Sequence, residues 1–386
     1  MLMRTQVSRT RWGGIADGQF RPGGFFRTGR RGGVHWLIDP DGGRFLSKGV
    51  DTVSFEQDKI RDTERSPYAE NALRKYGSVG AWRKAVNGRL AGWGFNTLGS
   101  WSDVSVADAG GAALAVTPNL DLGMSFAWPR KQAFPDVFDP QFEAHVGRRA
   151  REMCAPHRDD GKIVGWFIDN ELRWGPDWRG TEELHALFLN YPESSPGRRA
   201  ALAAEPSSFT ASIAERYFAL TTAAIRAADP NHLVLGCRFA LVPQPGAIAA
   251  AGRHADVVSF NCYELDPSKA IEAYAATGKP CLIGEFSFRA ADSGLPNTIG
   301  AGPKVATQDE RAACFRAYVT AALRYPAIVG YHWFEHADQP AEGRFDGENS
   351  NFGTVTINDD VYRALTDAMA AINGEAEALH AAVAAS

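Results

Sequence analysis

Two glutamates stand at the carboxyl ends of apolar runs, a position where a carboxyl group can take part in chemistry. Glu171 ends the run 163–171, and Glu285 lies in the run 281–288. An unpaired carboxylate is costly to bury, so each is expected to face an opening or to have a specific partner. For either glutamate alone, a salt bridge or a helix cap is the ordinary alternative. Two facing carboxyl groups would fit glycoside hydrolysis, which needs about 5–5.5 Å between them for retention and about 6.5–9.5 Å for inversion.

The two runs belong to a regular series of apolar runs, which must be the elements that position the glutamates. The runs recur about every 40 residues, which is room for a strand, loops and a helix. The eight runs cover residues 45–53, 95–101, 113–123, 163–171, 232–240, 257–266, 281–288 and 328–336. Helical patterns are predicted at residues 69–92, 140–155, 209–228, 267–277, 308–324 and 359–373.

The alternation of strand and helix predicts an α/β fold, namely a (β/α)8 TIM barrel that forms a single catalytic domain. An open doubly wound sheet is the alternative, but no GxGxxG or GxxxxGK(S/T) phosphate loop opens any of the helices. The predicted barrel covers residues 34–375, between an Arg/Gly-rich arm at 1–33 and an alanine-rich tail at 376–386. The composition of the arm is typical of a flexible or loosely docked segment, which we interpret as a solvated tail, with anion binding as the alternative.

Composition excludes several functional classes. With 41 Lys+Arg against 45 Asp+Glu the net charge is −4, so no global positive field indicates a nucleic-acid or membrane partner. No stretch approaches the roughly 18 apolar residues of a membrane span. The five cysteines are widely spaced and form no CxxC, which favours reduced thiols over disulfides or zinc. The basic start lacks an apolar segment behind it, so a cytoplasmic location is expected, or a periplasmic or secreted one if the N-terminus is incomplete.

Several stretches resemble a known family. Asn170-Glu171 at the end of the fourth run and Glu285 in the seventh resemble the pattern of clan A glycoside hydrolases. More narrowly, the sequence resembles glycoside hydrolase family 50, the β-agarases. This second resemblance rests on HWLIDPDG at 35–42, GWFIDNE at 165–171 with Trp174-Gly175 after it, YHWF at 331–334, DQP at 338–340 and GRFDGEN at 343–349. It extends over residues 34–373, the catalytic barrel alone.

The resemblance implies roles for the central residues. Glu171 would be the acid/base and Glu285 the nucleophile of a retaining mechanism. Asn170 would hold the sugar 2-hydroxyl, and Tyr263 would donate to the nucleophile. Trp333 would be the platform under the sugar, with a core tryptophan as the alternative.

Further substrate-binding candidates lie at or after the predicted strand ends. Their polar or aromatic side chains suit sugar hydroxyls and ring faces, although each could equally serve the core or a loop. The candidates are Asp51, Asn96, Trp101, Trp174, His332, His336, Asp338, Arg344, Glu348 and Asn349. The two histidines lack the HExxH pattern on a helix, so no zinc site is expected.

We therefore interpret the chain as a retaining β-glycoside hydrolase that cleaves galactose-containing, agarose-type oligosaccharides by double displacement. It would need no cofactor and would bind an oligosaccharide, either as a monomer or as a homo-oligomer. One alternative is another clan A activity, such as a β-galactosidase, β-glucosidase or transglycosylase. A catalytically silent carbohydrate-binding barrel is the alternative from a different class.

Overall fold

The computed structural model describes residues 8–383. The strands are β1 (Arg27–Arg31), β2 (Val34–Ile38), β3 (Arg44–Phe45), β4 (Ser47–Val50), β5 (Thr97–Leu98), β6 (Ala115–Val116), β7 (Gly165–Trp166), β8 (Leu233–Val234), β9 (Val258–Asn261), β10 (Cys281–Phe286), β11 (Arg289–Ala290), β12 (Lys304–Val305) and β13 (Ile328–Trp333). The helices are α1 (Pro67–Tyr76), α2 (Val79–Gly92), α3 (Met124–Ala127), α4 (Pro140–Cys154), α5 (Leu184–Leu189), α6 (Pro196–Ala203), α7 (Pro206–Ala228), α8 (Pro245–His254), α9 (Ser268–Ala275), α10 (Gln308–Ala322) and α11 (Arg363–Ala382).

Each of the eight predicted runs contains a short strand, namely β4 to β10 and β13, and these strands pair in parallel. Six form one sheet in the order β6-β5-β4-β13-β10-β9, and β7 pairs with β8 in a second sheet. The ladders confirm an α/β fold with parallel strands. Single parallel bridges, rather than continuous ladders, join the two sheets: Val116 to Ile163, Asn119 to Phe167, and Phe239 to Phe260.

Local alternation at the carboxyl ends of the two longest strands, beyond the register shifts in their ladder, decides which side chains reach the site. On β10, Phe286 stacks on Tyr318 of α10, with ring centroids 4.3 Å apart, so the preceding Glu285 points to the opposite face. On β13, Trp333 packs against Phe286, so the preceding His332 shares the face of Glu285. The helices therefore cover one face of these strands, and the titratable groups lie on the other.

The predicted helices are present, with corrections at their ends. The segment predicted as one helix over 69–92 is two, because Gly77 adopts a left-handed conformation (φ 73°) that ends α1. Helix α11 runs on to Ala382, well beyond the predicted 373. Helices α5, α6 and α8 lie in segments for which no helix was predicted.

The predicted arm is anchored to the body of the protein at a few positions, while 16 of the 26 residues from 8 to 33 are exposed. Trp12 and Phe26 are buried beside Phe45, in a cluster with apolar residues near the amino ends of the parallel strands. The Arg9 guanidinium lies 3.0 Å from the carboxylate of Glu377. Residues 1–7 lie outside the described part of the chain.

Residues 376–382 of the alanine-rich segment pack as part of helix α11. Within it, Ala376, Glu377 and His380 are buried on α11. The Glu377 carboxylate accepts from Lys48 Nζ at 2.6 Å, which ties the helix to β4. Residues 384–386 are outside the described range.

Among residues 8–383, no helix is long and apolar enough to span a bilayer. The five cysteines are free thiols in the structure.

Candidate active site

Glu171 and Glu285 line one cavity of about 1160 Å³. Glu285 projects from β10 and is 4% exposed. Glu171 follows β7 after a short connection and adopts a left-handed backbone conformation (φ 52°), which turns the chain at the cavity wall. Two glutamates that are 114 residues apart in sequence (285 − 171) thus meet at the carboxyl ends of parallel strands.

Both carboxylate oxygens of Glu285 accept strong hydrogen bonds. The Tyr263 hydroxyl donates to Oε2 at 2.6 Å, and Arg238 Nη2 donates to Oε1 at 2.5 Å. Burial, followed by the charges of Glu285 and Glu171, raises the pKa of Tyr263 well above its usual value, so this hydroxyl keeps its proton and remains a donor. The two donors fix the orientation of the carboxylate and stabilise its negative charge.

Arg238 connects Glu285 to a second carboxylate. Its Nη2 donates to Asp51 at 3.0 Å and to the Gly284 carbonyl at 3.2 Å, and its Nη1 donates to Ser100. The guanidinium is fully buried, and its carbon lies 4.9 Å from the ring centroids of both Trp101 and Phe167. Burial, and secondarily the charge of Glu285, raises the pKa of Asp51 to about 7 despite the opposing charge of Arg238.

Glu171 has a different environment. Its Oε1 accepts from Asn261 Nδ2 at 2.8 Å, and the same amide lies 3.2 Å from the Asn170 oxygen. Burial first, and then the negative charge of Glu285, raises the pKa of Glu171 to about 8. A carboxyl group of this kind is protonated at neutral pH and can act as a general acid.

A second cavity of about 680 Å³ adjoins the first, and Glu171 and Phe334 contribute to both. The second cavity carries rings and guanidinium groups, whereas the first has aliphatic side chains beside the rings of Trp178, Tyr263, Tyr274 and Phe334. The wall of the second cavity includes Trp101, Trp128, Phe345, Arg149, Arg179 and Arg344. The two cavities therefore form one cleft with Glu171 at the junction.

Four of the remaining predicted residues line this cleft. Asn170, Trp101 and Arg344 are in the smaller cavity, and Glu348 is in the larger one. Arg344 pairs with Glu348 at 2.7 Å, so an ion pair crosses between the two cavity walls.

The platform role expected of Trp333 is corrected by its position. The ring is fully buried among Phe286 and Phe315, and its Nε1 donates to the Phe352 carbonyl at 2.9 Å. Alternation on β13 turns the Trp333 side chain toward α10. Trp333 is therefore a core tryptophan, which was the alternative interpretation of its role. The next residue, Phe334, carries the ring that faces the cleft.

The two predicted histidines lie behind the cleft. His332 is fully buried, with Nε2 2.8 Å from Ser47 Oγ, and lies beneath Asp51. His336 is fully buried and contacts Tyr68 and Arg89 at 3.3 Å. Burial lowers the pKa of each imidazole to about 3, so both are neutral. Neither lines a described cavity of the cleft, which corrects their predicted contact with substrate.

Other predicted binding residues also have internal partners. Asp51 bonds Arg238, and Asn96 accepts from the Lys48 backbone and donates to Leu46 below the cleft. Trp174 stacks on Phe218 at 5.7 Å.

Two predicted residues of the loop after β13 serve the loop itself. Asp338 accepts from the Tyr362 hydroxyl at 2.6 Å and from Asn351 at 2.8 Å. Asn349 accepts from the backbone of Thr298 and Ile299. These two residues, with Asp51 and Asn96, are corrected from substrate contacts to supporting residues. Trp174 instead lines a third cavity of about 170 Å³, which shares Leu241 and Val242 with the larger one.

Sequence reasoning missed three residues that shape the site: Arg238, Asn261 and Phe334. Arg238 and Asn261 each lie inside an apolar run, at 232–240 and 257–266. A cationic side chain in a buried strand needs a buried counter-charge, so the same argument that singled out the glutamates also applies to Arg238.

No group of three or more His, Cys, Asp or Glu side chains within residues 8–383 has the geometry to hold a metal ion.

With this site on its parallel strands, the chain is an α/β protein related to glycoside hydrolases. It is 27% identical over 479 residues to β-agarase B of Vibrio sp. (strain JT0107), with 95% of this chain and 50% of the relative aligned. It is 28% identical over 374 residues to β-agarase A of the same strain, covering 79% of this chain and 37% of that protein. The chain thus spans half or less of these curated relatives. No protein-family model matches it.

Solved structures show the same fold. The agarase AgWH50C superposes with a TM-score of 0.81 at 28% identity, over 97% of this chain and 67% of that one. The structure of BpGH50 superposes with a TM-score of 0.83 over 99% of this chain and 90% of that one, at 22% identity.

Proposed function

We propose that the chain is a retaining β-glycoside hydrolase of the clan A type that cleaves galactose-containing, agarose-type oligosaccharides. One observation carries this proposal: a carboxylate with two donors and a carboxyl group with a raised pKa line the same cavity. Retaining hydrolysis needs this division of roles between two acids. The sequence similarity to proteins named β-agarases supports the choice of sugar.

In the first step, an oxygen of Glu285 forms a bond to the anomeric carbon while the bond to the leaving oxygen breaks. Glu171 gives its proton to that oxygen, so the leaving group departs neutral. Tyr263 and Arg238 hold the Glu285 carboxylate in place, and Arg238 in turn is held by Asp51.

In the second step, the ionised Glu171 takes a proton from water. The water oxygen bonds the anomeric carbon as the Glu285 ester bond breaks, so the product has the configuration of the substrate and both glutamates return to their initial states. Asn170, whose side chain lies at the junction beside Glu171, would hold the 2-hydroxyl.

The proposal includes a closed barrel. The parallel pairings run from β4 through β5, β6, β7 and β8 to β9, and then through β10 and β13 back to β4, when the three single bridges are counted with the ladders. A closed ring of eight parallel strands brings the ends of β7 and β10 to one mouth, where both glutamates lie.

The test is hydrolysis of agaro-oligosaccharides beside aryl β-galactosides and aryl β-glucosides, with proton NMR of the first-formed product. We expect cleavage of a galactose-containing member with retained anomeric configuration. Inverted product would refute the covalent step. Binding of sugar without cleavage of any member would indicate a silent carbohydrate-binding protein.

A further inference from the structure

The two cavities of the cleft have different walls. Leu241, Val242, Leu265 and Ile299 line the larger cavity, and each is about half exposed or more, at 54%, 49%, 57% and 51%. Leucine, isoleucine and valine are absent from the described wall of the smaller cavity, where Trp101, Trp128 and Phe345 supply the apolar surface. Large aliphatic side chains exposed together around a cavity indicate a binding surface.

The aliphatic side chains stand on backbone that is held in place. The carbonyl of Ile299 accepts from Ser350 Oγ at 2.7 Å, and its N–H donates to Asn349 Oδ1 at 3.1 Å. The carbonyl of Leu241 accepts from the Tyr274 hydroxyl at 2.9 Å. A wall that is already ordered loses little entropy when a ligand covers it, so the exposed groups are suited to binding.

Leu265 is held in a similar way. The carboxylate of the next residue, Asp266, accepts from Ser268 N at 2.9 Å and from Ser268 Oγ at 2.6 Å, which fixes the start of α9. Its side chain is more than half exposed because the turn projects it away from the core.

A tight turn separates the two walls. Asp177 and Gly180 pair across it, and Trp178 at its tip lines the larger cavity, whereas Arg179 lines the smaller one. Each side of the cleft is therefore built from different residues up to the junction at Glu171.

The position of Asn170 orients a substrate in this cleft. In the proposed mechanism Asn170 holds the sugar that is attacked, and Asn170 and Trp101 both line the smaller cavity. Trp101 covers Arg238, which bonds Glu285. Glu285 itself lines the larger cavity, so the attacked sugar must lie across the junction, between Asn170 on one side and Glu285 on the other. The oxygen protonated by Glu171 then points toward the larger cavity, which receives the leaving group.

We propose that the larger cavity is a leaving-group site for an uncharged group with an apolar surface, such as an aryl or alkyl aglycone or the apolar face of a sugar. The proposal rests on the proposed function, because that function defines which side the leaving group takes. Aliphatic side chains contribute by removing apolar area from water, and they give no hydrogen bonds to hydroxyl groups. The polar groups of this wall include Glu264, Asp266, Asp346 and Glu348, which disfavour an anionic ligand.

The test uses phenyl, para-methylphenyl, para-ethylphenyl and para-butylphenyl β-galactosides, whose leaving phenols have nearly the same acidity. Their affinities are measured by calorimetry on the Glu171→Gln protein, so that binding is read without turnover. We expect Kd to fall by about two- to fourfold per added methylene, the range that corresponds to partial or full burial of the group. Introducing Leu265→Asn and Ile299→Asn together into the Glu171→Gln protein should remove most of the dependence of Kd on alkyl length.

Two control variants locate the effect. Leu202→Asn replaces a leucine that is 69% exposed on α6 and lines neither cavity, and it should leave the dependence on chain length unchanged. Trp128→Ala alters the opposite wall and should also leave it unchanged. The leucine, isoleucine and tryptophan side chains replaced in these variants are half exposed or more, and Glu171→Gln keeps the size of its side chain, so the variants should fold.

A Kd that does not change along the series would overturn the inference. It would also be overturned if Trp128→Ala, and not the double aliphatic variant, removed the dependence. Failure of the proposed function is a separate result: the wild-type protein would hydrolyse none of the galactosides, while the affinities could still follow the alkyl length and support an apolar site.

Discussion

Two of the buried arginine–carboxylate clusters in the described part of the chain differ in how their charges balance. The proposed catalytic cluster consists of Arg238 with Asp51, Glu285 and Glu171, so one cation faces three carboxyl groups. The Arg89 cluster consists of Arg89 and Lys75 with Asp359, so two cations face one carboxylate.

The pKa values follow this balance. Burial alone would raise the pKa of Asp359, but the hydrogen bonds and charge of Arg89 outweigh burial and leave that pKa below its ordinary value. Both oxygens of Asp359 are satisfied, by Tyr68 at 2.7 Å, Tyr76 at 2.5 Å and the Arg89 guanidinium at 2.7 and 2.8 Å. This carboxylate stays ionised and serves stability.

In the proposed catalytic cluster, burial and secondarily the charge of Glu285 keep protons bound near neutral pH. The pKa of Glu171 rises to about 8 and that of Asp51 to about 7, in each case chiefly through burial. A buried group that exchanges its proton near neutral pH can do acid–base work, whereas a fully compensated ion pair cannot. The comparison therefore predicts that substitutions in the first cluster affect turnover and those in the second affect stability.

The largest effect is expected from Glu285→Gln, which removes the proposed nucleophile. Turnover should fall by about 10⁴-fold or more, as in other enzymes that lose a nucleophile. Activity with an aryl galactoside, together with the melting temperature, measures this. Glu272→Gln on α9, outside both cavities, is the matched control and should retain activity.

In Glu285→Ala, azide should restore turnover and give a glycosyl azide of inverted configuration. Undiminished turnover of Glu285→Gln would remove this residue from the mechanism.

Arg238→Gln should have the next largest effect. Loss of a preorganised charge beside the nucleophile is expected to lower kcat/KM by about 10²–10³-fold. Since Arg238 lowers the pKa of Glu171, its loss should also move the alkaline limb of the pH profile upward. If Arg238 had a purely structural role, its substitution would lower kcat/KM at every pH without moving the alkaline limb. Arg238→Lys keeps the charge and should shift the limb less than Arg238→Gln.

Arg89→Gln should destabilise the protein and leave the kcat/KM of folded molecules unchanged. Breaking a buried ion pair lowers the free energy of unfolding by about 3–5 kcal/mol. The matched control on the same helix is Arg83→Gln, whose partner Asp103 is partly exposed, with an expected effect of about 0–1 kcal/mol. Urea denaturation measures both variants. Equal losses of unfolding free energy in Arg89→Gln and Arg83→Gln would contradict the distinction between a buried and a partly exposed ion pair.

The Arg89 cluster also predicts how stability depends on acid. The pKa of Asp359 is lowered in the folded protein. The ionised carboxylate therefore contributes fully to the stability of the fold above the ordinary aspartate pKa, and this contribution is lost as the pH falls toward the lower pKa of the folded state. Arg89→Gln should therefore flatten the decrease in stability below about pH 4. A decrease as steep as that of the wild type would show that other carboxylates cause it.

Much of the strand framework could be predicted, because buried parallel strands are continuous apolar runs bounded by polar segments. Each of the eight runs contains a strand. Helices α5, α6 and α8 were missed because they are short and sit in connections rich in proline and glycine. Trp12 and Phe26 were misplaced because the composition around them is basic, while two aromatic side chains suffice to anchor the segment.

The site could be predicted in part, for a related reason. Glu171 and Glu285 stood out because a carboxylate interrupts an apolar strand. The direction of Trp333 depends on the register of a strand that is buried on both faces, where apolar residues on both sides hide the period of two. Arg238 pairs with Asp51 and Glu285 across 187 and 47 residues, and such long-range pairings are set by the fold.

The smallest predicted effect concerns the hydrogen bond from Asn261 to Glu171. This bond favours the ionised form of Glu171 and lowers its pKa against the larger effect of burial. Glu171 must be protonated to donate to the leaving oxygen, so kcat/KM should fall as the pH rises through about 8. Asn261→Ala should move this limb upward by less than about one pH unit, which is less than a tenfold change in the ionisation constant. The pH dependence of kcat/KM measures the shift, and Asn231→Ala, at a distant site, should leave the limb in place. A shift to lower pH would show that Asn261 stabilises the protonated acid instead, which would reverse its assigned part in tuning the catalytic cluster.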